Sequence, residues 1–298
     1  VPAVIIFMKE NMNTKVRGRK DLENLSIPFI GEIPQYLSAK KKLGFDKHTQ
    51  SVMKAIVVKE GNRNIINEAF RVLRSNIDFM AGKDSGQNVF MLTSFNPGSG
   101  KSFLAMNIAM SFAIKKKRIL VIDGDLRHGS TSSYVDSPKT GLSDYLGNRV
   151  SDWKEIIVKD EKYDNLHIIP IGTVPPNPTE LLEDGKLATL IEVLRSEYDY
   201  IFIDCPPIDI VADAQIIEKL ADRTVFVVRS GLLDRSMLPE LENIYQEKRF
   251  KNLSVILNGT ESAGGRYGYR YGYRNGYSSY YGNKGKMGGG VNGWSSSD

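Results

Sequence analysis

Six short runs limit this chain more than any other feature: NVFMLTS (88–94), RILVID (118–123), LHIIPI (166–171), YIFID (200–204), TVFVV (224–228) and LSVILN (253–258). Each is continuously apolar instead of alternating, so each is expected to form a strand covered on both faces. Between them lie helical segments at 101–115, within PTELLEDGKLATLIEVLRSEY, at ADAQIIEKLA and at 235–249. Strands of that kind separated by helices predict an α/β fold with a doubly wound, mostly parallel sheet. Another helix is predicted over 63–81, where Ile66, Phe70, Leu73 and Ile77 recur at i, i+4, i+7 and i+11 on one narrow apolar face.

Around this body the chain divides into a lead-in (1–60), the α/β domain (61–260) and a tail (261–298) of Gly, Tyr, Ser, Arg and Asn. The lead-in holds a short helix candidate at GRKDLENL and an extended run at IPFIGEIP. Its first residues, VPAVIIFM, are almost wholly apolar and are followed by Lys9, Lys15, Arg17, Arg19 and Lys20. That order fits the cytoplasmic exit of a membrane span whose start is missing, and the absence of an initial Met favours a fragment. A complete span would need roughly 20 apolar residues. The single cysteine, Cys205, excludes an internal disulfide and fits a reducing compartment. The net charge of +5 is matched by five basic tail residues, Arg266, Arg270, Arg274, Lys284 and Lys286, so the body is close to balanced. A nucleic-acid-binding body is therefore not expected.

The stretch TSFNPGSGKSFLAMNIA lies where a strand turns into a helix, and its GKS closes a P-loop. Phe95 replaces the first glycine of the usual pattern, but the strand–loop–helix context is retained. In such a loop backbone N–H groups and the helix N-terminus hold phosphate, Lys101 neutralises the β/γ oxygens, and Ser102 offers a hydroxyl to Mg²⁺. Two strands end in carboxylates: RILVIDGDLR in Asp123 and Asp125, and YIFIDCPP in Asp204. Carboxylates at the carboxyl ends of parallel strands border the crevice where such sheets bind ligands. Asp204 fits a Mg²⁺-holding acid acting through water.

A P-loop, then ILVIDGDLR, then YIFIDCPP, with a tyrosine-rich tail, resembles the bacterial tyrosine autokinases of capsule and exopolysaccharide export along essentially the entire chain. Residues 1–35 resemble the segment leaving the second membrane span of the polysaccharide copolymerase portion. The resemblance implies a P-loop NTPase fold of the Walker A/A′/B type that binds ATP and Mg²⁺ on the cytoplasmic side of the bacterial inner membrane. Pro97, Gly98, Ser99, Gly100, Lys101, Ser102 and Phe103 would bind the nucleotide, with Asn258 at the adenine. Ser102, Asp125 and Asp204 would serve the metal; Asp123, with Lys101 and Asp125, would carry catalysis, Asp123 accepting the tyrosine proton. Chemically this is apt, because a phenol with a pKa near ~10 is neutral at pH 7 and needs a base close by. The implied partners are copies of the chain in a ring, the copolymerase portion of a longer chain, a protein-tyrosine phosphatase and the polysaccharide export machinery.

The tail carries Tyr267, Tyr269, Tyr271, Tyr273, Tyr277, Tyr280 and Tyr281, half of the chain's fourteen tyrosines. With no apolar periodicity it is expected to be disordered, and so accessible to an active site as an autophosphorylation substrate. On 63–81, Glu68, Arg71 and Arg74 form an E-x-x-R-x-x-R run away from the apolar face. Charged flanks are usually solvated; the resemblance implies instead that this run pairs subunits. A dimeric switch ATPase of the partition or septum-site type shares the fold, but it carries an extra lysine five positions before the main one, where this chain has Asn96. A non-enzymatic assembly scaffold is the remaining alternative, and phosphotyrosine after ATP addition separates the three.

Overall fold

Eight strands form one sheet: β1 (Phe29–Pro34), β2 (Val89–Thr93), β3 (Ile119–Asp123), β4 (Val158–Lys159), β5 (Leu166–Ile169), β6 (Tyr200–Asp204), β7 (Arg223–Arg229) and β8 (Ser254–Thr260). The computed structural model describes residues 14–36, 55–82, 86–208 and 212–261; the apolar stub at 1–8 and the tail tyrosines lie outside them. The order is β1-β8-β7-β2-β6-β3-β5-β4, every pair parallel except β4 with β5. All six expected strands are present, and β2, β3 and β6 are buried at every position. The extended run of the lead-in is the edge strand β1, so residues 29–34 are part of the sheet.

The strands alternate between two apolar layers. Phe90, Leu92, Val121 and Phe202 face a layer that includes α1 (Ile65–Ala81) and α2 (Lys101–Ala113). Met91, Leu120, Ile122 and Ile203 face the opposite layer. That second layer is completed by α3 (Leu142–Leu146), α4 (Pro178–Glu183), α5 (Lys186–Glu197), α6 (Asp213–Glu218) and α7 (Leu238–Gln246). Both sheet faces are thus removed from water, which is why the strands read as unbroken apolar runs.

The apolar face of α1 is buried as its spacing predicts, with Phe70, Leu73 and Ile77 fully enclosed, and Asn64 caps the helix by accepting from Asn67 N. Each such side chain contributes roughly 1.5–3 kcal/mol. Its flank is less free than expected. Arg71 pairs with Glu68 and donates to Asn62 O, while Arg74 is half-buried and donates to Ser111 O at 2.7 Å. PTELLEDGKLATLIEVLRSEY contains the long helix expected there, α5, and ahead of it the short α4. Gly185 between them has φ +79°, a left-handed conformation that a continuous helix does not use. α2 is apolar on all sides and lies inside the fold; its one buried amide, Asn107, accepts from Val57 N and Val58 N and donates to Ala55 O and Phe103 O.

Candidate active site

The chain leaves β2 for the β3/β5 side, returns to β6 beside β2, and then crosses to β7 and β8. β2 therefore ends at the point where the winding reverses, the place where open parallel sheets bind ligands. The loop from Ser94 to Gly100 follows it and feeds α2. Gly98 (φ +74°) and Gly100 (φ +90°) adopt conformations that side-chain-bearing residues avoid. A Cβ on Gly100 would also collide with Asn258 Nδ2. The glycines therefore let the loop turn tightly into the N-terminus of α2, whose first N–H groups suit it to hold phosphate.

Lys101 Nζ lies 3.4 Å from Ser94 Oγ. Ser102 Oγ donates to Asp204 Oδ2 at 2.5 Å, and Thr131 Oγ1 donates to the same oxygen at 2.8 Å. Asp123 and Asp204 face each other in register across β3 and β6, both almost fully buried. Ser132 fixes Asp123, donating from N and Oγ to Oδ2 at 2.6 Å each, while its Oγ accepts from Ile171 N at 2.8 Å. Asp125 sits nearer the surface, accepting from Arg127 N and His128 N at 3.2 Å.

Burial pushes the Asp123 carboxyl up to about 8, and the neighbouring Asp204 charge adds to the rise. Burial likewise raises Asp204, although Lys101, Ser102 and Thr131 oppose it. One oxygen of each acid, Asp123 Oδ1 and Asp204 Oδ1, has no hydrogen-bond partner among the described residues. Two carboxylates this close, each with an orphaned oxygen, need a cation or a proton between them. A hard cation fits: Ser102 and Asp204 supply oxygen ligands. Among the described residues no group of three or more His, Cys, Asp or Glu closes a protein-only cage, as expected where phosphate and water complete the shell.

Lys101, Ser102, Asp123, Asp125 and Asp204 gather at this crevice, whereas Phe103 turns its ring edge-on to Phe70 in the layer of α1 and α2. Asn258, at the end of β8, touches the loop itself, with Nδ2 donating to Ser99 O at 2.9 Å. Thr131 and Ser132, which hold the two acids, carry no recognisable motif; the only sign is the polar run GSTSS after Asp125. Arg127 turns away from the crevice to Asp213, a fully buried acid that Thr179 also contacts. Cys205 follows Asp204 directly, is fully buried, and has its thiol pushed well up by that burial. A cavity of about 720 Å³ lies at the opposite rim near Arg118, Asn165 and Tyr198 and contains none of these groups; a smaller one, of about 310 Å³, is lined by Lys15, Arg17, Arg229 and Ser230.

Residues 87–232 match the AAA domain family. The tyrosine-protein kinase YwqD of Bacillus subtilis (strain 168) is 34% identical over 210 residues, covering 70% of this chain and 87% of YwqD. A Klebsiella pneumoniae relative, described as a tyrosine-protein kinase in the cps region, is 34% identical over 274 residues. That match takes in 89% of this chain but only 37% of the longer relative. The kinase domain of the Escherichia coli tyrosine kinase ETK superposes with a TM-score of 0.71 at 28% identity, covering 87% of this chain and all of that domain.

Proposed function

Because the chain belongs to the bacterial tyrosine-protein kinases, we propose that its P-loop site transfers the γ-phosphoryl group of ATP to the tail tyrosines, Tyr267 to Tyr281, of a neighbouring copy. The observation that carries this reading is the pair of buried acids beside the P-loop, each with an unpartnered oxygen.

Bound ATP·Mg²⁺ supplies the phosphoryl group and a cation that offsets its charge. The loop 97–103 and the start of α2 hold the polyphosphate through backbone N–H groups. Lys101 would neutralise the oxygens at the reacting end, and Ser102 and Asp204 would hold the cation, with Asp125 assisting from the rim. Asp123 takes the phenol proton at Oδ1, the oxygen left without a partner. In the nucleotide-free fold burial keeps Asp123 largely protonated at neutral pH; a cation held beside it would favour the carboxylate, the form able to take the proton. Positioning and charge neutralisation supply most of the remaining catalysis in phosphoryl transfer.

The same reading extends to the longer protein. The chain leads in from a membrane-anchored copolymerase portion at the cytoplasmic face of the inner membrane, the kinase domain takes in β1 (29–34) of the lead-in together with 61–260, and 261–298 is the substrate tail. Phosphorylation then regulates polysaccharide polymerisation and export, with a phosphatase to reset it. Residues 264–297 of the tail begin with five positive charges and no acid. Seven phosphotyrosines would add about −10 to −14, which reverses its sign and drives ring subunits apart.

The test is intact mass and tail-peptide mapping after incubation with ATP and Mg²⁺, with phosphate expected on the tail. Mixing a Lys101→Met chain with an active chain lacking 264–298 should label the inactive chain. Absence of tail phosphate refutes the substrate assignment, and absence of transfer between chains refutes the trans reading.

A further inference from the structure

The cavity of about 720 Å³ lies at the amino-terminal rim of the sheet. Arg118 and Asn165 directly precede β3 and β5, and Tyr198 stands two residues before β6. Its floor is held by hydrogen bonds. The Tyr198 hydroxyl donates to His167 Nδ1 at 2.7 Å, and His167 Nε2 donates to Asp164 O at 3.0 Å, which fixes both rings. Trp153 forms a wall, with Lys154 Nζ 5.7 Å from its ring centroid. Asn165 Nδ2 pins the turn from α2 to β3, donating to Ala113 O at 2.9 Å and Lys117 O at 2.6 Å. Lys116 and Arg118, on that turn, stand at the cavity.

Four cations, Lys116, Arg118, Lys154 and Lys159, thus line the cavity against two acids, Asp164 and Glu197. Among the described residues Lys116, Lys154 and Lys159 form no ion pair with a carboxylate, and Arg118 makes a long one, Nη2 to Asp199 at 3.5 Å. Cations without carboxylate partners, set around aromatic walls, suit a ligand that joins an anion to a ring. The volume is that of a pocket for such a ligand.

We propose that this cavity receives a phosphotyrosine of the tail, with its phosphate among the four cations and its ring against Trp153 and Tyr198. The inference rests on the tail-phosphorylation reading above. Residues 264–297 carry five basic residues and no acid, so the cavity repels the unmodified tail. Each phosphate adds about −1.5 to −2, which turns that repulsion into attraction. Chain length permits the contact. The stretch from 261 to Tyr281 spans up to about 66 Å when extended, and five strand spacings, about 24 Å, separate β8 from β5. A membrane surface suits the cavity less well. The lead-in docks at the other rim, where Val16 exchanges backbone bonds with Gly231 and Leu233 beyond the end of β7. Capture at the amino-terminal rim clears a finished tyrosine from the crevice, which lies at the carboxyl ends of the strands.

Calorimetry on the full, unphosphorylated chain tests this with a synthetic peptide of residues 264–275 phosphorylated on Tyr269, Tyr271 and Tyr273. Its controls are the unmodified peptide, the same peptide with phosphoserine at those three positions, and vesicles of phosphatidylcholine and phosphatidylserine. The phosphotyrosine peptide should bind at least about tenfold more tightly than the unmodified one, and about threefold more tightly than the phosphoserine one. Lys154→Ala combined with Lys159→Ala, both exposed and far from the crevice, should weaken it roughly tenfold and leave MgADP binding within about twofold. Equal binding of modified and unmodified peptides overturns the inference, as does phosphopeptide binding that the double variant leaves unchanged. Equal binding of the phosphoserine peptide would make the cavity a general anion site, and binding of vesicles without the phosphopeptide would make it a membrane contact; either also overturns it. Because the peptide brings its phosphate from synthesis, these failures leave the kinase reading standing. Absence of tail phosphate in the mass test above refutes that reading and this inference together.

Discussion

Asp123 and Asp204 are register partners at the carboxyl ends of β3 and β6, two buried acids on neighbouring strands held by different hydroxyl groups. Ser132 serves Asp123; Ser102 and Thr131 serve Asp204. The pair is at rest only with a proton or a cation nearby, so the fold by itself carries an electrostatic cost that ligand binding removes.

Replacing Asp123 by Asn should therefore stabilise the nucleotide-free protein while removing transfer. The folded carboxyl is raised to about 8, against about 4 in the unfolded chain. Between those values the unfolded chain releases a proton that the folded chain keeps, so stability is highest below about pH 4 in this respect and falls as pH rises toward about 8. The substituted amide does not titrate and can still accept from Ser132. Denaturant melts at pH 5 and pH 8 should show the Asp123→Asn variant gaining roughly 1–3 kcal/mol at the higher pH and little at the lower. Phosphotyrosine formation should drop at least about 100-fold, with MgADP binding retained.

Lys101→Met tests the cradle. Lys101 Nζ makes a long contact to Ser94 Oγ and its charge also offsets the buried Asp204, so its loss should lower folding stability by roughly 1–2 kcal/mol. Phosphotyrosine measured by intact mass should disappear in the folded variant. Undiminished phosphorylation in a variant with a cooperative melting curve would contradict the P-loop assignment.

Ser132→Ala removes a hydroxyl that bridges Asp123 Oδ2 and Ile171 N. It leaves a buried backbone N–H without its acceptor, which should cost roughly 1–3 kcal/mol in urea unfolding. Because Ser132 N still holds Asp123, residual kinase activity should exceed that of the Asp123→Asn variant.

Arg71 and Arg74 should separate on mutation. Arg71 binds Glu68 and Asn62 O near the surface, whereas Arg74 reaches a backbone carbonyl of α2 from a half-buried position. Arg74→Ala should lower stability by roughly 1–2 kcal/mol, and Arg71→Ala by less than about 0.5 kcal/mol. If the run also pairs subunits, light scattering should show Arg71→Ala as smaller than wild type at equal concentration. An unchanged particle size would leave both arginines with intramolecular roles alone.

The strands and the acids at their ends were legible because burial on both faces leaves an unbroken apolar run, and Asp123 and Asp204 stand where such runs stop. The P-loop was legible from GKS despite Phe95, whose ring packs edge-on to Phe226 at 4.8 Å between centroids. Less could be read where partners are far apart in sequence. IPFIGEIP read as extended, but its place beside β8 depends on pairing across more than two hundred residues. Thr131 and Ser132 look like ordinary loop residues, and only the folded crevice brings them to the acids. The long helix in PTELLEDGKLATLIEVLRSEY was legible, but the separate short α4 ahead of Gly185 was not, because apolar residues occur on both sides of that glycine.

Cys205 gives the molecule a built-in clock. It is the chain's single cysteine and is fully buried one residue beyond Asp204. A thiol reagent can modify it only when the carboxyl edge of β6 parts from its neighbours, so the labelling rate reports the opening rate where modification outpaces reclosing and the open population where it does not. The native sequence thus reports the breathing of its own catalytic rim, from the position next to the chemistry, with no engineered probe.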